Sequence, residues 1–321
     1  MKHIFIINPA AGKGDIQKDL GNKICAAAEK TDEECEIYTT KCVRDAEVLT
    51  SQICKENMYG RLRFYACGGD GTLGEIANGV YGRPKTELAV IPMGTGNDFS
   101  RNFTNPEAFL DIEAQMAGEA IDIDALLCNG RYSVNFINMG FDCSVVERVA
   151  KIKRFPFIPL KLAYIAGVVT ELVRMPGIKI KHLALDGTEI EDKKLLLCAA
   201  ANGGFCGGGF NSAPKAKLDD GVMDVCVAKT MSRTGFVSMV GGYKNGTYVD
   251  NARTMKKVSY HKCRTLDIDF EGETSVCFDG EIEKCKSLHI EVVPDVFRFS
   301  VPRGALYDVT DKKKKKTGAR R

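Results

Sequence analysis

Two glycine-rich stretches hold the residues best suited to chemistry. Cys67-Gly68-Gly69-Asp70-Gly71-Thr72 and Met93-Gly94-Thr95-Gly96-Asn97-Asp98-Phe99-Ser100-Arg101 each join glycines to an acid and then to a helix start. Without a Cβ, Gly68, Gly69 and Gly71 let a phosphate approach the main chain, where the N–H groups of a following helix attract it. Asp70 would repel that phosphate, so it calls for a bound cation or for a tight hydrogen-bonded turn. Asn97-Asp98 reads equally as a helix cap, and Arg101 is a fixed cation for a phosphate or a neighbouring carboxylate. Two such loops at adjacent strand ends indicate a nucleotide site. The Gly-x-Gly-x-x-Gly of dinucleotide folds and the Walker pattern are both missing, which counts against those two readings. Farther along, Thr274 to Phe278, Asp279-Gly280 and Glu281 to Cys285 make a hairpin pattern, as do Leu183 to Leu185, Asp186-Gly187 and Thr188 to Ile190. Pattern alone does not separate Asp279 from Asp186.

The elements that must position these loops follow from apolar spacing. Residues 3–7 form a continuous apolar run suited to a buried parallel strand, closed by turn residues from Asn8 to Gly14. Further strands are expected at Cys35 to Thr39, Leu62 to Cys67 and Leu88 to Ile91, with helical spacing between them, as in Leu73, Ile76, Ala77 and Val80. Four β-loop-α repeats predict an α/β domain with a mostly parallel sheet, and such sheets bind ligands at the carboxyl ends of their strands. Beyond about residue 120 the apolar segments shorten, punctuated by Asn-Gly, Asp-Gly and Gly-Gly at 129–130, 186–187, 203–204, 220–221 and 279–280, the pattern of antiparallel strands. One helix is expected there, Leu160 to Met175, entered through Phe155-Pro156-Phe157-Ile158-Pro159, a stretch that is hard to bury and suits a lip touching lipid.

Composition narrows the partners. Of the cations, Lys312 to Lys316, Arg320 and Arg321 crowd the last ten residues with no acid, so the formal charge of +3 becomes −4 for the rest. The fold has no basic stretch interleaved with aromatics and no Trp, so nucleic acid is not expected as a partner. Thirteen cysteines without a C-x-x-C pair suit free thiols in a reducing compartment and argue against zinc. No stretch has the roughly 20 apolar residues of a membrane span or the apolar core of a signal peptide. The expectation is a cytoplasmic protein with a possible peripheral place at the inner membrane face, where the basic tail would meet anionic lipid. An exposed edge strand in the second domain makes a homodimer possible.

In order along the chain, Asn8-Pro9-x-Ala11-Gly12-x-Gly14, Gly68-Gly69-Asp70-Gly71-Thr72 and Gly94-Thr95-Gly96-Asn97-Asp98-Phe99-x-Arg101 resemble the motifs of the bacterial diacylglycerol kinase family of soluble lipid kinases. The likeness continues through Asn135-x4-Gly140-Phe141-Asp142, Asn202-Gly203 with Gly207 to Gly209, Pro214-x-Ala216-x3-Asp220-Gly221 and Asp279-Gly280-Glu281, and covers residues 2–305 or so. The first glycine motif is shared with NAD kinases and phosphofructokinases. The resemblance implies an α/β nucleotide-binding domain at 1–124, with a possible completion by 302–311, then an all-β sandwich lipid-binding domain at 125–301 and a disordered tail at 312–321.

It implies ATP as phosphoryl donor, Mg²⁺ as cofactor and a lipid hydroxyl as acceptor, diacylglycerol first, with phosphatidylglycerol or a sphingoid base or ceramide as alternatives. By the same resemblance Gly68, Gly69, Asp70, Gly71 and Thr72 would hold ATP with Asn8, Lys13, Gly94, Thr95 and Asn97. Asp70, Asp98 and Asp122 would form a water-mediated Mg²⁺ network tied by Arg101. Asp279 would be the catalytic base with Glu281 its companion, and Asp219 and Asp220 match a structural-metal position where a plain turn remains an equal reading. NAD kinase and a non-catalytic nucleotide- or lipid-binding regulator stand as rivals.

Overall fold

The computed structural model describes residues 1–12, 14–31, 33–152, 160–175 and 177–308. Lys13, the Phe155 to Pro159 lead-in and the basic tail therefore lie outside the described residues. The chain divides into two compact units: of the described residues, 1–125, 217–221 and 293–308 form the first, and 126–216 with 222–292 the second. The linear reading of one domain over 125–301 does not contain the return of 217–221 and 293–301 to the first unit.

The first unit alternates β1 (Lys2–Ile7), α1 (Gly14–Thr31), β2 (Glu34–Thr39), α2 (Asp45–Glu56), β3 (Leu62–Gly68), α3 (Asp70–Val80) and β4 (Thr86–Pro92), then continues through α4 (Ile112–Met116) into β5 (Glu119–Cys128), whose last three residues belong to the second unit. β1 lies parallel between β2 and β3, and β3 pairs parallel with β4. β3 is buried along its whole length, as a strand covered on both faces must be. Alternate residues Phe5, Ile7, Tyr65, Cys67, Ala89 and Ile91 meet Leu20, Ile24 and Ala27 of α1 and Ile112 and Met116 of α4. α3 is drawn against α2, since a Cβ on Gly79 would stand 2.7 Å from the Glu47 carbonyl oxygen. Glu75 of α3 also caps α2, accepting from the amides of Arg44 (2.9 Å) and Ala46 (3.1 Å). Sheet register and helix packing together fix where the loops after β1, β3 and β4 emerge.

The second unit contains β6 (Arg131–Ser133), β7 (Phe136–Gly140), α5 (Phe141–Ile152), α6 (Leu160–Arg174), β8 (Ile178–Leu185), β9 (Thr188–Glu189), β10 (Lys194–Ala201), β11 (Met223–Lys229), α7 (Arg233–Asn245), β12 (Val258–Cys263), β13 (Thr265–Phe278) and most of β14 (Glu281–Val301). β7, β10, β11 and β12 are joined antiparallel, as are β13 with β7, β8 and β14. Period-2 alternation splits the side chains: Ile137, Met139, Val225 and Val227 enter a core with β8 and β13, while Phe136, Cys226 and Ala228 enter a second core. Phe141, Val145 and Val149 of α5 and Phe236, Met239 and Tyr243 of α7 fill that second core.

These helices correct the expectation of an all-β domain. Phe141, Val145 and Val149 recur every four residues, and α7 is bounded by a Ser232 cap that accepts from the Gly235 amide and by Gly246 at φ 75°. The turns at 129–130, 186–187 and 279–280 close hairpins, whereas 203–204 and 220–221 lie in the long connection from β10 to β11. Among the described residues no helix is long and apolar enough to cross a membrane.

Candidate functional site

In the first unit the loops after β1, β3 and β4 are bonded to one another. The Asn8 amide donates to the Cys67 carbonyl (3.0 Å), and its side-chain Nδ2 donates to Thr72 Oγ1 (3.1 Å). The Gly68 carbonyl accepts from the amides of Met93 (2.9 Å) and Gly94 (3.1 Å). Only glycine permits this approach, because a Cβ on Gly94 would lie 2.5 Å from Gly69 Cα. α3 starts at Asp70 with Gly69 as its N-cap and no side chain capping it. Its positive end therefore faces the glycine loops.

Asp70 resolves its own anomaly. Its carboxylate accepts from the amides of Asp98 (3.1 Å) and Phe99 (2.9 Å), so it ties the first glycine loop to the second. Burial pushes its pKa up, and those amides pull in the opposite direction. Asp98 is 5% exposed, with Oδ1 3.6 Å from Arg101 Nε, and Arg101 Nη2 donates to the Gly96 carbonyl (3.3 Å). Asn97, at φ 52°, donates Nδ2 to the carbonyls of Pro92 and Gly94, and its Oδ1 is buried without a hydrogen-bond partner among the described residues. Thr95 is exposed at the loop tip.

Asp122 stands apart in character: its carboxylate is 57% exposed on β5, 4.0 Å from Arg298 Nε. Among the described residues no group of three or more acids, histidines and cysteines is placed to hold a metal ion directly. Two residues on from Asp122, Asp124 is the acid that pattern reading passed over. It is 1% exposed and accepts from the amides of Gly221 (2.7 Å) and Asp295 (2.9 Å), which pins 217–221 within the first unit. Asp219 accepts from the Tyr307 hydroxyl (3.0 Å), which in turn accepts from the Leu218 amide (2.6 Å); Asp220 follows in the same loop. The only signal for Asp124 in the sequence is its place on the same strand face as Asp122.

In the second unit Asp279 begins a tight hairpin, with φ 46° at Asp279 and 100° at Gly280. It is 8% exposed, and its carboxylate accepts from the amides of Val134 (2.8 Å), Asn135 (3.1 Å) and Phe136 (2.8 Å). Asp186 starts a hairpin of the same kind at φ 47°, but it is exposed and its Oδ1 accepts from Arg264 and Thr265. Glu281 pairs with Arg131, whose Nη2 lies 2.6 Å from Oε2, while Arg131 Nη1 reaches Glu283 Oε1 at 2.8 Å. Arg131 carries no motif signature in the sequence.

Residues 2–128 match the family described as the diacylglycerol kinase catalytic domain, and residues 135–301 match the YegS C-terminal NAD kinase β-sandwich-like domain. The diacylglycerol kinase of Staphylococcus carnosus is 28% identical over 283 residues, spanning 86% of this chain and 87% of the relative. A protein described as a probable lipid kinase YegS-like, from Shewanella frigidimarina, is 30% identical over 250 residues, spanning 73% and 75%. A crystal structure of a diacylglycerol kinase from Bacillus anthracis superposes with a TM-score of 0.68 over 94% of this chain and 97% of that one, at 23% identity, a likeness of fold.

Proposed function

Because the chain belongs to the bacterial diacylglycerol kinase and YegS-like family, and is thereby an ATP-dependent lipid kinase, we propose that its acceptor is diacylglycerol and its product phosphatidic acid. The observation that carries the nucleotide half is the uncapped start of α3 on a glycine loop locked to a second one. Its first-turn amides and dipole suit the phosphates of ATP, with Asn8 and Thr72 shaping the wall and Asn97 Oδ1 left to accept from the nucleotide. Lys13 is proposed to add charge there. The donor set also suits Mg²⁺, which keeps most of its waters and needs one or two carboxylates plus phosphates rather than an all-protein cage. Asp70 and Asp98 would hold it with Asp122 through water, and it would offset the phosphate charge.

Phosphoryl transfer depends chiefly on positioning and charge compensation. The lipid hydroxyl oxygen forms the new bond to the γ-phosphorus as the bond to ADP breaks, and its proton passes to Asp279. Three main-chain amides fix the orientation of that carboxylate. Glu281, two residues on, is its proposed companion. Asp219 and Asp220 are held as the position of a second metal.

The test is transfer of labelled γ-phosphate to a panel of micellar lipids, with NAD⁺ as a further acceptor. Label in diacylglycerol, lowered about 10²–10⁴-fold in Asp279→Asn and unchanged in Asp186→Asn, is the expected result. Label in phosphatidylglycerol or a sphingoid base would replace the acceptor, label in NAD⁺ alone would replace the reading, and equal losses in both variants would remove Asp279 from its role.

A further inference from the structure

One short segment, Arg131 to Phe136, grips both acids of the Asp279-x-Glu281 pair. Its first residue holds Glu281 through the guanidinium, and its last three hold Asp279 through main-chain amides. The segment is itself tied down. Ser133 Oγ donates to the Phe136 carbonyl (3.1 Å), Asn135 Nδ2 to the Phe205 carbonyl (2.9 Å), and the Asn202 amide to the Asn135 carbonyl (2.8 Å). At its other end, Cys128 pairs with Arg131 across the Asn129-Gly130 turn, which fixes where the guanidinium emerges.

Glu281 and Glu283 are two apart on β14 and so share a face. The Arg131 fork spans them with one nitrogen on each, at 2.6 and 2.8 Å. Both Arg131 and Glu281 are largely shielded, with side chains 18% and 21% exposed, so the pair is screened less than a surface ion pair. A lysine ammonium lacks the planar fork that engages two carboxylates in fixed geometry.

Resting on the lipid-kinase reading above, we propose that Arg131 is a positioning residue: by dividing its guanidinium between Glu281 and Glu283 it sets the orientation of Glu281 relative to Asp279 for phosphoryl transfer. Its action on the reaction runs through Glu281, which its Nη2 holds at 2.6 Å.

The experiment compares Arg131→Ala, Arg131→Lys, Glu281→Gln and their combinations in the labelled-phosphate assay, with melting temperatures alongside. Arg131→Ala is expected to lower kcat about 10²-fold, the scale of a small misplacement of a reacting group, with KM for ATP unchanged. In the Glu281→Gln background the same change is expected to add no loss. Where Arg131→Ala does not fold, Arg131→Lys carries the test: kcat falls, and adding Glu283→Gln restores it by leaving the lone ammonium to Glu281. Equal loss with and without Glu281, no recovery on adding Glu283→Gln, or a lower melting temperature with kcat unchanged would overturn the proposal. An inactive wild-type chain would overturn the kinase reading and this one with it, whereas an active wild type with an additive cycle would overturn this one alone.

Discussion

Asp142 shows how a single carboxyl can tune stability without entering the proposed chemistry. It sits in the first turn of α5, accepts from the Tyr243 hydroxyl at 3.3 Å, and burial pushes its pKa up to about 6. Between about pH 4 and 6 the folded chain holds a proton there that the unfolded chain has lost, so Asp142 makes stability fall as pH rises through that window. His3 acts in the opposite sense. Burial lowers its pKa to about 4, so the unfolded chain takes up the proton first and stability falls as pH drops from 6.5. The two slopes oppose one another in the wild type, and a variant exposes one of them. Asp142→Asn should gain on the wild type in urea-melt stability between pH 4.5 and 7.5, by at most roughly 3 kcal/mol for a shift of about two units. A difference that does not change with pH would mean the carboxyl is solvated.

At the scale of elements, the glycine loops are interlocked strand ends. Gly68 accepts from Met93 and Gly94, and Asp70 returns the contact to Asp98 and Phe99. Gly94→Ala would force a methyl against Gly69 Cα, and no flexible side chain can yield there. Overpacking of this kind costs about 1–3 kcal/mol. The expected outcome is a lower melting temperature together with weaker ATP binding by calorimetry. Gly272→Ala, with no atom within 4 Å of the added Cβ, serves as the control and should bind ATP as the wild type does. Unchanged ATP affinity in Gly94→Ala would separate these loops from the nucleotide. The strand and loop positions were legible because apolar runs and glycines are properties of consecutive residues. α5 was harder to read, since the β-branched Val145 and Val149 suit strands locally and became helical through packing in one core with Phe136, Leu197 and Phe236.

For the whole molecule, the chain passes between its two units at 125/126, 216/217, 221/222 and 292/293. A fragment of residues 1–125 would lack Gly221 and Asp295, the amide donors to Asp124, and Phe299, which pairs with Leu88 of β4. It would leave a buried carboxylate without those donors. Expressed alone, it should show no cooperative thermal melt, and adding 293–308 by fusion should recover part of one. A cooperative melt of 1–125 at the temperature of the full chain would show that the returning segments are dispensable. The amino-acid sequence by itself determined the strand runs, the glycine loops and the tight turns, because backbone freedom and apolar spacing are local properties. Tertiary structure alone decided that Asp279 is enclosed and Asp186 exposed, since the amides that enclose Asp279 lie 143 to 145 residues away. It likewise decided that Asp124 holds Asp295 across 171 residues and that Arg131 reaches Glu281 across 150. Hydrogen bonds form between groups that the fold brings within about 3 Å, and no spacing along the chain encodes which distant groups those are.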